Sequence, residues 1–102
     1  MKVHILGHDL DVEFTTQEDE RLGEAWGRLR LGDQKILLDK EVSPVITRET
    51  LFHEILHAVD MMGCPRHLSE NTIHRMSAIM FATLRDNPKI VKWLFEEIDD
   101  DS

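Results

Sequence analysis

The run His53-Glu54-Ile55-Leu56-His57 is the arrangement in this chain whose residue types and spacing best suggest chemistry. On a helix, residues four apart lie one turn above the other and about 40° apart, so both imidazoles can reach one ion. Glu54 lies about 100° round from His53, which directs its carboxylate to a metal-activated water instead of the metal. We therefore predict zinc (Zn²⁺) on His53 and His57, with Glu54 as the catalytic base.

A third protein ligand must come from elsewhere, because catalytic zinc usually has three protein ligands and one open position. Glu70 is our prediction, since twelve residues separate it from His57 and the intervening turn can fold a second helix back across the first. Three other candidates stay open. His74 lies one turn beyond Glu70, His67 lies in the turn, and Asp60 could either ligate directly or hold a ligand imidazole by its other nitrogen.

Helical periodicity begins near Thr47, a plausible N-cap, and predicts a first helix to about Met62. Gly63-Cys64-Pro65 should end it, with Cys64 packing as a small apolar side chain. The arc opposite the histidines is apolar and should be buried, which would leave the chemical residues on a polar face. This arc comprises Leu51, Phe52, Ile55, Leu56, Ala58, Val59 and Met62.

Two further helices are predicted, the first over 70–85 with Ser69 as its N-cap. Asn87-Pro88 separates it from the last helix, which should run to about Ile98. The apolar side of the second helix comprises Ile73, Met76, Met80 and Leu84, and that of the last comprises Ile90, Val91, Leu94, Phe95 and Ile98.

Residues 1–46 are strand-rich, with an apolar run at 3–6 and alternation over 10–14. A third strand at 26–31 and a fourth at 36–38 flank the turn Gly32-Asp33. Strands followed by helices predict a single α+β domain over 1–102: a small antiparallel sheet of three or four strands, a helical part over 47–98 and an acidic tail at 99–102.

Composition excludes some classes of partner. Acidic residues outnumber basic ones by 20 to 12, giving a net charge of −8, which argues against a nucleic-acid partner. No apolar stretch approaches the ~18 residues needed to span a membrane. A single cysteine cannot form an internal disulfide, and a cytoplasmic location is the simplest expectation.

Three stretches carry a resemblance to a known group of proteins: residues 50–60 around the histidines, Leu68-Ser69-Glu70, and residues 84–88. Together they resemble the small HExxH zinc metallopeptidase-like proteins of phages and prophages, and the minimal single-domain gluzincins. The resemblance implies a small sheet over an active-site helix and a following helix that supplies a glutamate ligand. It thus implies His53, His57 and Glu70 as zinc ligands and Glu54 as the base.

The chain departs from larger gluzincins at two points. They often have an acidic residue four positions after the ligand glutamate, where this chain has His74, and they use Tyr or His for the oxyanion, whereas this chain has no Tyr. Our first hypothesis is a zinc-dependent metallopeptidase whose extended substrate adds to an exposed edge strand at residues 26–31. The alternatives are a non-catalytic zinc-binding module that binds a partner protein, and a metal-free helical protein whose acidic surface binds a basic partner.

Overall fold

The computed structural model describes residues 1–63 and 67–96, and it confirms the predicted α+β class. Four strands come first: β1 (Lys2–Ile5), β2 (His8–Thr15), β3 (Gly27–Arg30) and β4 (Lys35–Asp39). Three helices follow: α1 (Pro44–Gly63), α2 (Glu70–Asp86) and α3 (Pro88–Leu94). Predicted Ile98, Cys64 and the acidic tail 99–102 lie outside the described residues. None of the described helices is long and apolar enough to cross a membrane.

The strands form one mixed sheet in the order β1-β2-β4-β3. The two outer pairs are antiparallel, as predicted, but β2 and β4 are parallel, with Asp11 opposite Lys35 and Thr15 opposite Asp39. The reason is the segment 16–26, which carries the chain to the far edge of the sheet before β4 returns to the middle. β3 is therefore an edge strand.

Strand β4 forms the centre of the core. Ile36, Leu37 and Leu38 are 0–1% exposed, and such an unbroken apolar run is typical of a central strand covered on both faces. One face packs against α1, where buried Ala58 joins a cluster of apolar strand residues, namely Ile5, Leu10, Val12, Ile36 and Leu38. Leu37 points to the other face, where the short 3-10 turn Glu20–Leu22 contacts β4.

Helix α1 begins three residues earlier than predicted. Ser43 accepts a hydrogen bond from the Ile46 N–H (3.3 Å), and Pro44 occupies the first helical position, where its missing N–H costs nothing. Thr47, the predicted N-cap, instead lies in the first turn and donates its hydroxyl to the Ser43 carbonyl. The helical pattern in the sequence therefore starts three residues after the helix itself begins.

Helix α2 matches its predicted bounds within one residue, and the Ser69 hydroxyl caps it by accepting from the Thr72 N–H at 3.1 Å. It runs antiparallel to α1 and packs against it, and the ring centroids of Phe52 and Phe81 lie 6.0 Å apart between the two helices. Among the described elements, α3 packs mainly against α2.

Candidate metal centre

Three side chains from two helices converge on one point. The His53 and His57 Nε2 atoms are 3.0 Å apart, and the Glu70 carboxylate lies 2.9 Å from His57 Nε2 and 3.3 Å from His53 Nε2. The two histidine side chains are only 18% and 19% exposed, whereas that of Glu70 is 73% exposed. His53, His57 and Glu70, the predicted set, can therefore hold a metal ion.

Buried Asp60 positions the start of α2 and so places Glu70. Its side chain is 6% exposed, and its two carboxylate oxygens accept from the Leu68 N–H at 3.0 and 3.2 Å. His67 Nδ1 lies 3.7 Å from the same carboxylate and is 58% exposed. Neither Asp60 nor His67, both open as alternative ligands from the sequence, belongs to the converging group.

His74, the main rival to Glu70, lies beside the site. Its ring centroid is 5.8 Å from that of His53, its side chain is exposed, and its ligand atoms are not part of the converging group. It lines the same cleft as the three ligands, one turn beyond Glu70 on α2. This position makes it a wall of the cleft and not a ligand.

Ser77 is a positioning residue that the sequence interpretation missed. Its buried hydroxyl donates to the His74 carbonyl at 3.0 Å and lies 3.0 Å from His53 Nδ1. A carbonyl can only accept, and a hydroxyl has one proton, so Ser77 must accept from Nδ1–H. That bond leaves His53 Nε2 with its lone pair free, as a ligand requires. In the sequence, the role of Ser77 is indicated only by its position four residues after Ile73, which places both residues on the buried side of α2.

Glu54 lies next to the ligands but is buried in the wall of the cleft, 8% exposed. Burial raises the pKa of its carboxyl, and the charge of Glu70 adds to the effect, while the charges of His57 and Arg28 oppose it. Burial also lowers the pKa of His53, assisted by the charge of His57. A carboxyl with a raised pKa is better suited to exchanging protons with a reacting group than one with an ordinary pKa.

The side chains of His53, Glu54, His57 and Glu70 line a cleft of about 540 Å³ between α1, α2 and the edge strand β3. Gly27 allows the strand to approach the helix, because a Cβ there would lie 2.5 Å from Thr50 Cγ2. The remaining lining comes from all three elements and the residues around them: Ala25, Trp26, Arg28, Leu29, Ile46, Glu49, Met61, His74 and Ser77.

The predicted polar face of α1 is not an open surface. Glu54 and Asp60 on that face are buried, while Val59 on the apolar arc is 40% exposed. The cause is the position of α1, which has the sheet on one side and α2 on another, so that polar side chains are also covered.

Comparison of the chain with known protein families, curated proteins and solved structures finds no match.

Proposed function

We propose that this protein is a zinc-dependent metallopeptidase. The observation that carries the proposal is the convergence of His53, His57 and Glu70 on one point of a cleft, with the carboxyl of Glu54 in its wall. Two imidazoles and one carboxylate form a donor set that is common in catalytic zinc sites.

The spacing of the donor atoms suits zinc. Ligands at 2.0–2.1 Å in a tetrahedron lie roughly 3.3 Å from one another. Here the two Nε2 atoms are 3.0 Å apart, one Glu70 oxygen is 2.9 Å from His57 Nε2, and the other Glu70 oxygen is 3.3 Å from His53 Nε2. Three protein donors would leave the fourth tetrahedral position for the reacting molecule.

Within this proposal each side chain has one task. Zinc held by His53, His57 and Glu70 would supply a Lewis acid that polarises a peptide carbonyl and makes water nucleophilic near neutral pH. Glu54 takes the proton of the attacking water and passes it to the nitrogen of the departing amine. Ser77 holds His53 in the ligating tautomer, and Asp60 keeps Glu70 in reach through the Leu68 N–H.

The proposed substrate is an extended peptide lying along β3. This strand pairs with β4 on one side only, and residues 25–29 border the cleft on the other. Backbone groups on the outer side of an edge strand can pair with a peptide without regard to its side chains. On β3 the Leu29 backbone already bonds to Glu54, so a peptide would pair with the remaining groups. A cleft of this size therefore favours unfolded polypeptide over a folded protein.

The test is the variant Glu54→Gln, with Glu18→Gln, in the loop after β2, as its control. We expect Glu54→Gln to keep one zinc per chain and to lose hydrolysis of a randomised peptide library by roughly 10²–10⁴-fold, because the proton acceptor is gone. Zinc content is measured by elemental analysis and cleavage by mass spectrometry.

Two results would reject parts of the proposal. Hydrolysis that survives in Glu54→Gln at the control's rate would remove Glu54 from the mechanism. A wild-type protein that binds zinc at one ion per chain yet cleaves no member of the library would instead favour a non-catalytic zinc-binding module.

A further inference from the structure

Helices α2 and α3, with the residue that follows α3, leave eight large apolar side chains exposed, which we name the α2/α3 apolar surface. On α2 they are Met76 (40% exposed), Ile79 (67%), Met80 (39%) and Leu84 (38%); on α3 they are Ile90 (55%), Trp93 (69%) and Leu94 (55%), and Phe95 (80%) follows directly after α3. The sequence pattern marks Met76, Met80 and Leu84 as one apolar side with Ile73, but of these only Ile73 is buried.

The part on α2 has the spacing of a helix–helix seam. Met76, Ile79, Met80 and Leu84 follow the spacing i, i+3, i+4 and i+8, so they form one stripe along the helix. The stripe adjoins buried Ile73 and Ser77 on the helix, and no charged residue interrupts it. Helix α2 therefore has one broad apolar arc, of which the folded chain covers only a part.

Helix α3 extends this surface. It has seven residues and packs mainly against α2 among the described elements. A helix of that length has little stability of its own in water, and its stability must come from what its apolar side chains contact. With Trp93 and Phe95 more than two-thirds exposed, most of that contact is missing from a single chain.

The area matches what a stable dimer needs. Taking roughly 150–250 Å² for an aromatic side chain and ~60–120 Å² for an aliphatic one, the exposed fractions amount to about 400–700 Å² of apolar area. A standard interface covers about 800 Å² on each partner, of which roughly 60% is apolar. The α2/α3 apolar surface thus supplies the apolar part of one complete interface.

We propose that a second copy of this chain covers the surface, with the two α2 stripes packed against each other about a two-fold axis. A stripe with no charges resembles the interior of a permanent interface more than the mixed surface of a transient one. A two-fold axis lets the same stripe face itself and closes the assembly at two copies.

The test is the mass of the full chain in solution, measured by sedimentation over a range of protein concentrations. We expect a species of twice 11.9 kDa for the wild type. Ile79→Glu should weaken dimerisation at least 100-fold, because each copy would then bury a carboxylate without a partner. Leu6→Glu is the matched control, since Leu6 is 68% exposed at the turn between β1 and β2, and it should stay dimeric.

A second variant and a second measurement cover the case in which Ile79→Glu does not fold. Trp93→Gln should also weaken the dimer, and amide exchange in α2 and α3 of the wild type should slow as the protein concentration rises. A wild type that is monomeric throughout, or a folded Ile79→Glu variant that stays dimeric, overturns the proposal. A wild-type monomer that binds anionic phospholipid vesicles would assign the surface to a membrane instead.

Discussion

The sheet with α1 and the pair α2–α3 are built in opposite ways. Among the described residues, seven of the nine buried apolar ones lie in the first region and Leu22 lies in the short turn packed against β4, whereas only Ile73 lies in the second region. The first region has a closed core, whereas the second exposes most of its apolar side chains. Yet the candidate metal centre needs both, because α1 supplies His53, His57 and Glu54 and α2 supplies Glu70. The comparison teaches that the candidate metal centre joins a region with a closed core to one that exposes most of its apolar side chains.

The largest effect should come from the closed core. Leu38→Ala should lower the free energy of unfolding by about 2–5 kcal/mol, because it leaves a cavity beneath α1. The same truncation at Leu68, which is 43% exposed just before α2, should cost less than ~1 kcal/mol. Urea denaturation at one protein concentration measures both. Equal losses would show that the two regions share one uniformly packed core.

An intermediate effect is expected where the two regions meet. Ser77→Ala should weaken zinc binding by roughly 10–100-fold, because His53 loses the partner that fixes its tautomer. Thr83→Ala is the control, since the Thr83 hydroxyl also donates to a carbonyl of its own helix, that of Ile79. Competition with a chromophoric chelator measures affinity, and nitrogen chemical shifts report the tautomer. Unchanged affinity together with an unchanged tautomer would limit Ser77 to packing.

The smallest effect concerns acid stability within the sheet region. The Gln17 amide, and after it the Glu41 N–H, lower the pKa of the Asp39 carboxyl below its ordinary value of 3.8. Because the pKa is lowered in the folded state, the stabilisation is present above pH 3.8 and is lost as the pH falls through the folded-state value.

Asp39→Asn should therefore flatten the decline of stability below about pH 4, and urea denaturation at several pH values measures this decline. Asp86→Asn, at a side chain 70% exposed on α2, serves as the control. A decline as steep in Asp39→Asn as in the wild type would contradict the assignment.

Local patterns in the sequence were enough to predict the parts that local physics determines. The spacing of His53 and His57 places them on one side of α1, and the cap Ser69 fixes where α2 begins and so which residue meets them. The unbroken run at 36–38 marks a strand, and its lack of alternation also signals a central position.

Long-range arrangement could not be read in the same way. The parallel pairing of β2 with β4 depends on the path of residues 16–26, which have no periodic pattern. The exposure of Met76 and Met80 depends on how far α1 extends over α2, and the role of Ser77 depends on which atom lies opposite it. These are properties of packing between elements, which one element's periodicity does not contain.

The placement of Glu70 on a different helix from His53 and His57 has a thermodynamic consequence. A metal held by His53, His57 and Glu70 ties α2 to α1 across the intervening chain, so binding it closes a loop and restricts the freedom of α2. If another molecule already holds α2 in this position, metal binding costs less conformational entropy. Linkage makes that assistance reciprocal: a molecule that fixes α2 would raise metal affinity, and the metal would raise the affinity for that molecule by the same factor.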